Sequence, residues 1–128
     1  MARDFRTIDA WRKADDLAVL VYEITQQCFP AEERYGLISQ MRRAAVSVAA
    51  NIAEGAGRQY LKEFLQFLYR AKGSLSELEY YIHLALRLGY LNSQQHEMLR
   101  SSQRNTAATL IGYIRYIEKL IRNGQKYT

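Results

Sequence analysis

Two histidines, one cysteine and a scatter of serines and carboxylates are the residues of this chain that could carry chemistry, and their spacing argues against it. His83 and His96 stand thirteen positions apart on different predicted helices, and Cys28 is far from both in sequence. Neither an HExxH pair nor a CxxC spacing occurs, so no metal and no other cofactor is expected. Glu77 and Glu79 are two apart, which puts them on different faces of a helix, and no ExxH follows to suggest a di-iron bundle. Gly55-Ala56-Gly57 lacks both the preceding strand and the following Lys-Ser of a phosphate loop, and reads as a turn. Ser39, Ser47 and Ser74 have no histidine placed to activate them, so the expectation is a protein that is not an enzyme.

Charge says more than these groups do. The formal net charge is +5, unevenly spread: residues 1–36 hold five basic and seven acidic side chains, residues 92–128 six and two. At about 100° per residue, Arg100, Arg104, Arg115, Lys119, Arg122 and Lys126 fall within an arc of roughly 100°, away from the apolar Leu99, Leu110 and Ile117. Such a track attracts polyanions and could follow a phosphate backbone. Arg42 and Arg43 add a second pair of candidate phosphate contacts. The alternative is an ordinary solvated face, because Glu97 and Glu118 share the arc and Glu118 can pair with Arg122 one turn on.

The elements that must carry these groups are four helices, since one proline and seven glycines leave few places to turn and no strand-like alternation occurs. The first is expected after Asp9, an N-cap residue, and runs to Cys28, where Phe29-Pro30 ends it. Its stripe of Trp11, Ala14, Ala18, Val21, Thr25 and Cys28, widened by Leu17, Leu20 and Ile24, points Cys28 inward as a buried structural thiol. The second spans Arg34 to Gly55 and is stopped by Gly55 and Gly57; Leu37, Met41, Ala44, Val48 and Ile52 form its apolar face. Its far side, Arg43, Ser47, Ala50 and Glu54, is built mostly from short side chains that let another helix come close. The third runs from about Tyr60 to Leu88 and is closed by Gly89, and the fourth begins after Asn92 with Gln95 completing a capping box. Short connections make neighbours antiparallel, so the fold class is all-α: an up-down-up-down four-helix bundle in a single domain over 1–128.

Lys62, Tyr69, Gly73, Tyr80, Leu84 and Arg87 project to one side of the third helix's core stripe. Tyrosines beside cations can stack on unpaired bases, but tyrosine is also enriched at interfaces and a mid-helix glycine marks close backbone approach. The interface is favoured here, and Ser47, Ala50, Glu54, Tyr69, Gly73, Tyr80 and Leu84 are the expected oligomer contacts. No apolar run approaches the roughly 20 residues needed to span a bilayer, and the charged N-terminus MARDFRTIDAWRK lacks the core of a secretory signal, so a cytoplasmic protein without a membrane partner is expected.

The blocks FRTIDAWRKADDLA, RYGLISQMRRAAVSVAANIAEG and KEFLQFLYRAKGSLSELEYYIHLALRLGYL closely resemble the bacterial four-helix-bundle family first noticed as open reading frames inside intervening sequences of 23S ribosomal RNA genes. The resemblance covers about residues 5–120 and is carried best by Trp11, Arg34-Tyr35-Gly36-Leu37, Arg42-Arg43-Ala44-Ala45, Asn51-Ile52-Ala53-Glu54-Gly55, Gly73-Ser74-Leu75 and Leu88-Gly89-Tyr90-Leu91. It implies a homopentamer of antiparallel bundles. A relative, the accessory variability protein of diversity-generating retroelements, implies RNA or DNA and a reverse transcriptase as partners. The chain departs from a common family form in having Ala49-Ala50 where an isoleucine-proline-serine run often stands, so no proline kink is expected in the second helix. The resulting expectation is a non-enzymatic oligomer with a basic surface for RNA or another nucleic acid. A protein-binding scaffold, in which charge serves only solubility, is the alternative.

Overall fold

A computed structural model describes residues 2–128 and shows an all-α bundle of four helices: α1 (Asp9–Cys28), α2 (Leu37–Ala56), α3 (Leu61–Arg87) and α4 (Ser93–Arg122). Single turns of 3₁₀ helix at Phe5–Thr7 and Ala31–Glu33 precede α1 and α2. The chain runs up, down, up and down. Each helix packs on its two neighbours in a ring, and no Cα atoms of a diagonal pair come within 8 Å of one another among the described residues. The core is the sum of the apolar stripes, with Leu17, Met41, Ile52, Phe64, Leu68, Leu78, Leu99, Leu110 and Ile117 all fully buried. The three polar residues of the core are satisfied: Thr25 donates to the Val21 carbonyl, Thr106 to Ser102, and Gln103 crosses to the Leu75 carbonyl on α3 at 3.0 Å, whereas the buried Arg3 Nε and Tyr113 hydroxyl lack a hydrogen-bond partner among the described residues.

Two helix ends follow local rules. The Asn92 side chain accepts from the Gln95 amide at 2.8 Å while the Gln95 side chain accepts from the Asn92 amide at 2.9 Å, the expected capping box. Asn92→Ala is expected to destabilise the fold by about 1 kcal/mol, read as a melting temperature lower by about 3–5 °C. At the other end of the same connection Gly89 sits at φ +78, and the Tyr90 and Gly89 amides close back on Ala85 and Leu86. Gly124, at φ +91, repeats this arrangement after α4, with Gln125 and Gly124 donating to Leu120 and Ile121.

Other ends depart from the sequence expectation. Asp9 is the first residue of α1 rather than its cap; its carboxylate pairs instead with Arg12. The second helix starts at Leu37, not Arg34, because Glu33 folds back to accept the Leu37 amide at 3.1 Å and the Tyr90 hydroxyl at 2.8 Å. Those two bonds, the amide first, hold the Glu33 carboxyl below the usual range. Gly55 does not stop α2. It lies buried inside the helix against Phe64 and Phe67, and α2 ends one residue later at Ala56. Cys28 is half-buried rather than buried, its thiol pushed up by desolvation and donating to the Ile24 carbonyl at 3.1 Å.

A candidate nucleic-acid interface

The basic track is a property of α4, and the helix sets its length. Arg104, Arg115, Lys119 and Arg122 are all exposed, and none of the four enters a hydrogen bond or ion pair among the described residues. Arg100 is half-buried and reaches Glu97 at 3.5 Å. From Arg100 to Arg122 the helix rises about 33 Å, long enough to pass several phosphates. Glu118, which could have paired with Arg122, instead accepts the Tyr69 hydroxyl from α3 at 2.7 Å, and that bond pushes the Tyr69 phenol up. Of the two acids in the arc, Glu118 is thereby engaged by a neutral group and Glu97 by Arg100, and Arg122 is left to solvent or a ligand.

Lys126 is not on the track. The turn at Gly124 ends α4 at Arg122 and sends the tail back across the start of α3, where the Lys126 carbonyl accepts the Leu61 amide at 2.9 Å and Tyr127 packs on Tyr60. The helical arc assumed for Lys126 therefore stops four residues before it.

Arg42 and Arg43 occupy a different face, since α2 and α4 are diagonal partners. The Arg42 guanidinium lies 4.4 Å over the Tyr22 ring and donates to Thr25 Oγ1 at 3.0 Å, which ties it to α1. Arg43 stays exposed. Around them a groove of about 370 Å³ takes in Arg34 and Tyr35, the latter 90% exposed. These two residues stood within a family motif but were not expected at a site, and an aromatic beside arginines at a helix start was the available signal.

The expected oligomer contacts divide. Ser47 is spent within the protomer, its hydroxyl 2.9 Å from that of Ser74 and 2.9 Å from the Asn51 amide nitrogen. Tyr69 is bonded to Glu118, and Leu84 packs against the core. Ala50, Glu54, Gly73 and Tyr80 face outward, with Glu54 held by Arg58 at 3.2 Å. A side chain added at Gly73 would meet nothing within 4 Å, so the close approach inferred for that glycine does not occur inside the bundle. It occurs at Gly55.

The two histidines, unremarkable in sequence, share a groove. His83 on α3 and His96 on α4 line one groove with Arg100 and Arg104, because the turn at Gly89 folds the second helix back along the first. Sequence spacing could not reveal this, since thirteen residues around a turn have no fixed separation until both helices are docked.

Comparison with known proteins agrees with this architecture. The 23S rRNA-intervening sequence protein family matches the chain over residues 6–112. Among solved structures, a protein of unknown function from the S23 ribosomal protein family of Bacteroides thetaiotaomicron is similar in fold. Its TM-score is 0.76 at 24% identity, over 82% of this chain and 97% of that one. No curated protein matches.

Proposed function

The chain belongs to the 23S rRNA-intervening sequence protein family, and from that premise we propose that it is a non-enzymatic, self-associating bundle whose fourth helix lies along RNA or another nucleic acid. The observation that supports this reading is the row of exposed cations at Arg104, Arg115, Lys119 and Arg122, on one face and without an acidic partner among the described residues. Guanidinium and ammonium groups in that state can each displace a counterion from a phosphate, and the released ions drive binding. The track contacts backbone and leaves base identity unread. Arg42, Arg43 and Arg100 are secondary contacts, and Lys126 reaches a strand only from the returning tail. A nucleic-acid-processing enzyme such as a reverse transcriptase is the kind of protein this accessory would serve.

The test is a titration of single-stranded RNA over a salt series. Four phosphate contacts give a slope of roughly −2.8 in log K against log salt. A flat dependence would favour the scaffold reading, which has its own support: Lys119 and Arg122 lie in the last turn of α4, where cations offset the helix dipole with no ligand at all.

Self-association rests on the outward Ala50, Gly73 and Tyr80 and on the exposed apolar side chains Val19, Val46, Leu86 and Met98. Light scattering at micromolar concentration is expected to return a multiple of 14.9 kDa, five-fold for the family's pentamer. A monomer mass would remove both the oligomer and the interface assigned to those residues.

A further inference from the structure

His83 near the end of α3 and His96 near the start of α4 line a groove of about 250 Å³ together with Ile82, Leu86, Arg100, Arg104 and Glu79. The lining does not suit a metal ion. Two of its side chains are guanidiniums, which repel a cation, and no group of three His, Cys, Asp or Glu that could hold a metal gathers among the described residues. It suits an oxyanion. Arginine presents a fork of donors to oxygen, and an imidazolium donates from both ring nitrogens. Gln103 is already committed to the Leu75 carbonyl, which leaves His83, His96 and Arg104 as donors without a partner among the described residues, and Arg100 as one shared with Glu97.

Charge in this groove depends on the imidazoles. Two arginines and Glu79 give the lining a formal charge of +1 when both histidines are neutral and +3 when both are protonated. Arg100 is further shared with Glu97 at 3.5 Å, so the neutral state is close to balanced. The ionic groups facing the imidazoles are thus Glu79 from α3, Arg100 and Arg104 from α4, and Glu97 behind Arg100.

We propose that this groove binds a phosphate group, and binds it more tightly when His83 and His96 are protonated. That the phosphate is a phosphodiester of RNA rests on the function proposed above: Arg104 belongs to both groove and track, so a strand lying on α4 brings a phosphate to the groove's mouth. A phosphodiester keeps one charge from pH 5 to 8, so a pH dependence across that interval belongs to the protein. At a half-open site each added charge strengthens anion binding about fivefold, and the pair about ten- to thirty-fold.

Sulfate, a dianion throughout this range, tests the groove without RNA. Titrated at pH 5.5 with the imidazole signals followed by NMR, it is expected to shift His83 and His96 together and saturably. The affinity should be at least tenfold weaker at pH 8.0, and saturation should be lost in Arg100→Gln/Arg104→Gln. Imidazoles that stay unmoved, or that shift without saturating, overturn the proposal. In parallel, hexauridylate at low salt should bind wild type about tenfold more tightly at pH 5.5 than at 8.0. His83→Gln/His96→Gln, which changes two side chains outside the core, should lose that gain. Saturable sulfate with no hexauridylate binding sustains the groove and sinks the RNA reading. Hexauridylate binding without a pH gain, beside unmoved imidazoles, does the reverse. Saturable sulfate with pH-independent hexauridylate binding overturns RNA as the phosphate's source.

Discussion

Replacing Arg104, Arg115, Lys119 and Arg122 together by alanine is expected to weaken single-stranded RNA binding about 600-fold at 0.1 M salt. Each phosphate contact on a single strand adds about 0.7 to the logarithmic salt slope, and at 0.1 M that is worth about fivefold in affinity. Four contacts multiply to the stated loss, and each single alanine should flatten the slope by about 0.7. All four side chains are exposed, and alanine has the best helix propensity, so the variant should keep its circular dichroism. In an oligomer several subunits can touch one strand, which steepens the slope and enlarges the loss. The loss should be similar for oligonucleotides of different sequence, because a backbone contact carries no base information. A folded variant that binds as tightly as wild type would reduce α4 to a solvated face, and the scaffold reading would replace the one proposed.

Gly55→Leu is the substitution expected to damage the fold most. A Cβ at this position would stand 2.7 Å from the Phe67 Cβ and 2.8 Å from Phe64 Cδ1. The Phe67 Cβ is fixed to the backbone of α3, so the clash cannot be relieved by turning a side chain and the helices must part. Overpacking a close-packed core costs about 1–3 kcal/mol, and a leucine here belongs at or beyond the upper end. The melting temperature should fall by about 10 °C or more. Gly73→Ala is the contrasting case. It lies mid-helix in open space, where replacing glycine by alanine stabilises by about 0.5–1 kcal/mol. A smaller oligomer instead of a higher melting temperature would place Gly73 at a subunit contact. Equal and small effects at both glycines would contradict the packing described between α2 and α3.

Much of the fold was legible because it is local. The stripes of α1 to α4 repeat at helical spacing, and most of the side chains they nominated, among them Leu17, Met41, Ile52, Leu99, Leu110 and Ile117, are buried, while Trp11, Ala18, Leu20 and Cys28 are only partly so. The Asn92 and Gln95 pair and the Gly89 stop work within one turn of backbone, so residue type and offset sufficed to place them. The helix ends that were misplaced depended on something farther away. Glu33 delays α2 by folding back on Leu37 while held by Tyr90, fifty-seven residues distant in the chain. Gly55 resembles a helix stop until Phe64 and Phe67 are brought beside it.

The candidate sites divide in the same way. An arc of cations on one helix is fixed by rise and rotation per residue, so Arg104, Arg115, Lys119 and Arg122 could be aligned from sequence alone. Lys126 could not, because a single left-handed glycine at 124 takes the chain out of that helix. The engagement of Glu118 by Tyr69, the separation of Arg42 from the α4 track and the placing of His83 and His96 along one groove were decided only when the four helices docked. Periodicity and caps determine which face of each helix is apolar and where most helices end. Which side chains meet across two helices depends on their crossing, register and separation, and these are set by core packing summed over the whole bundle.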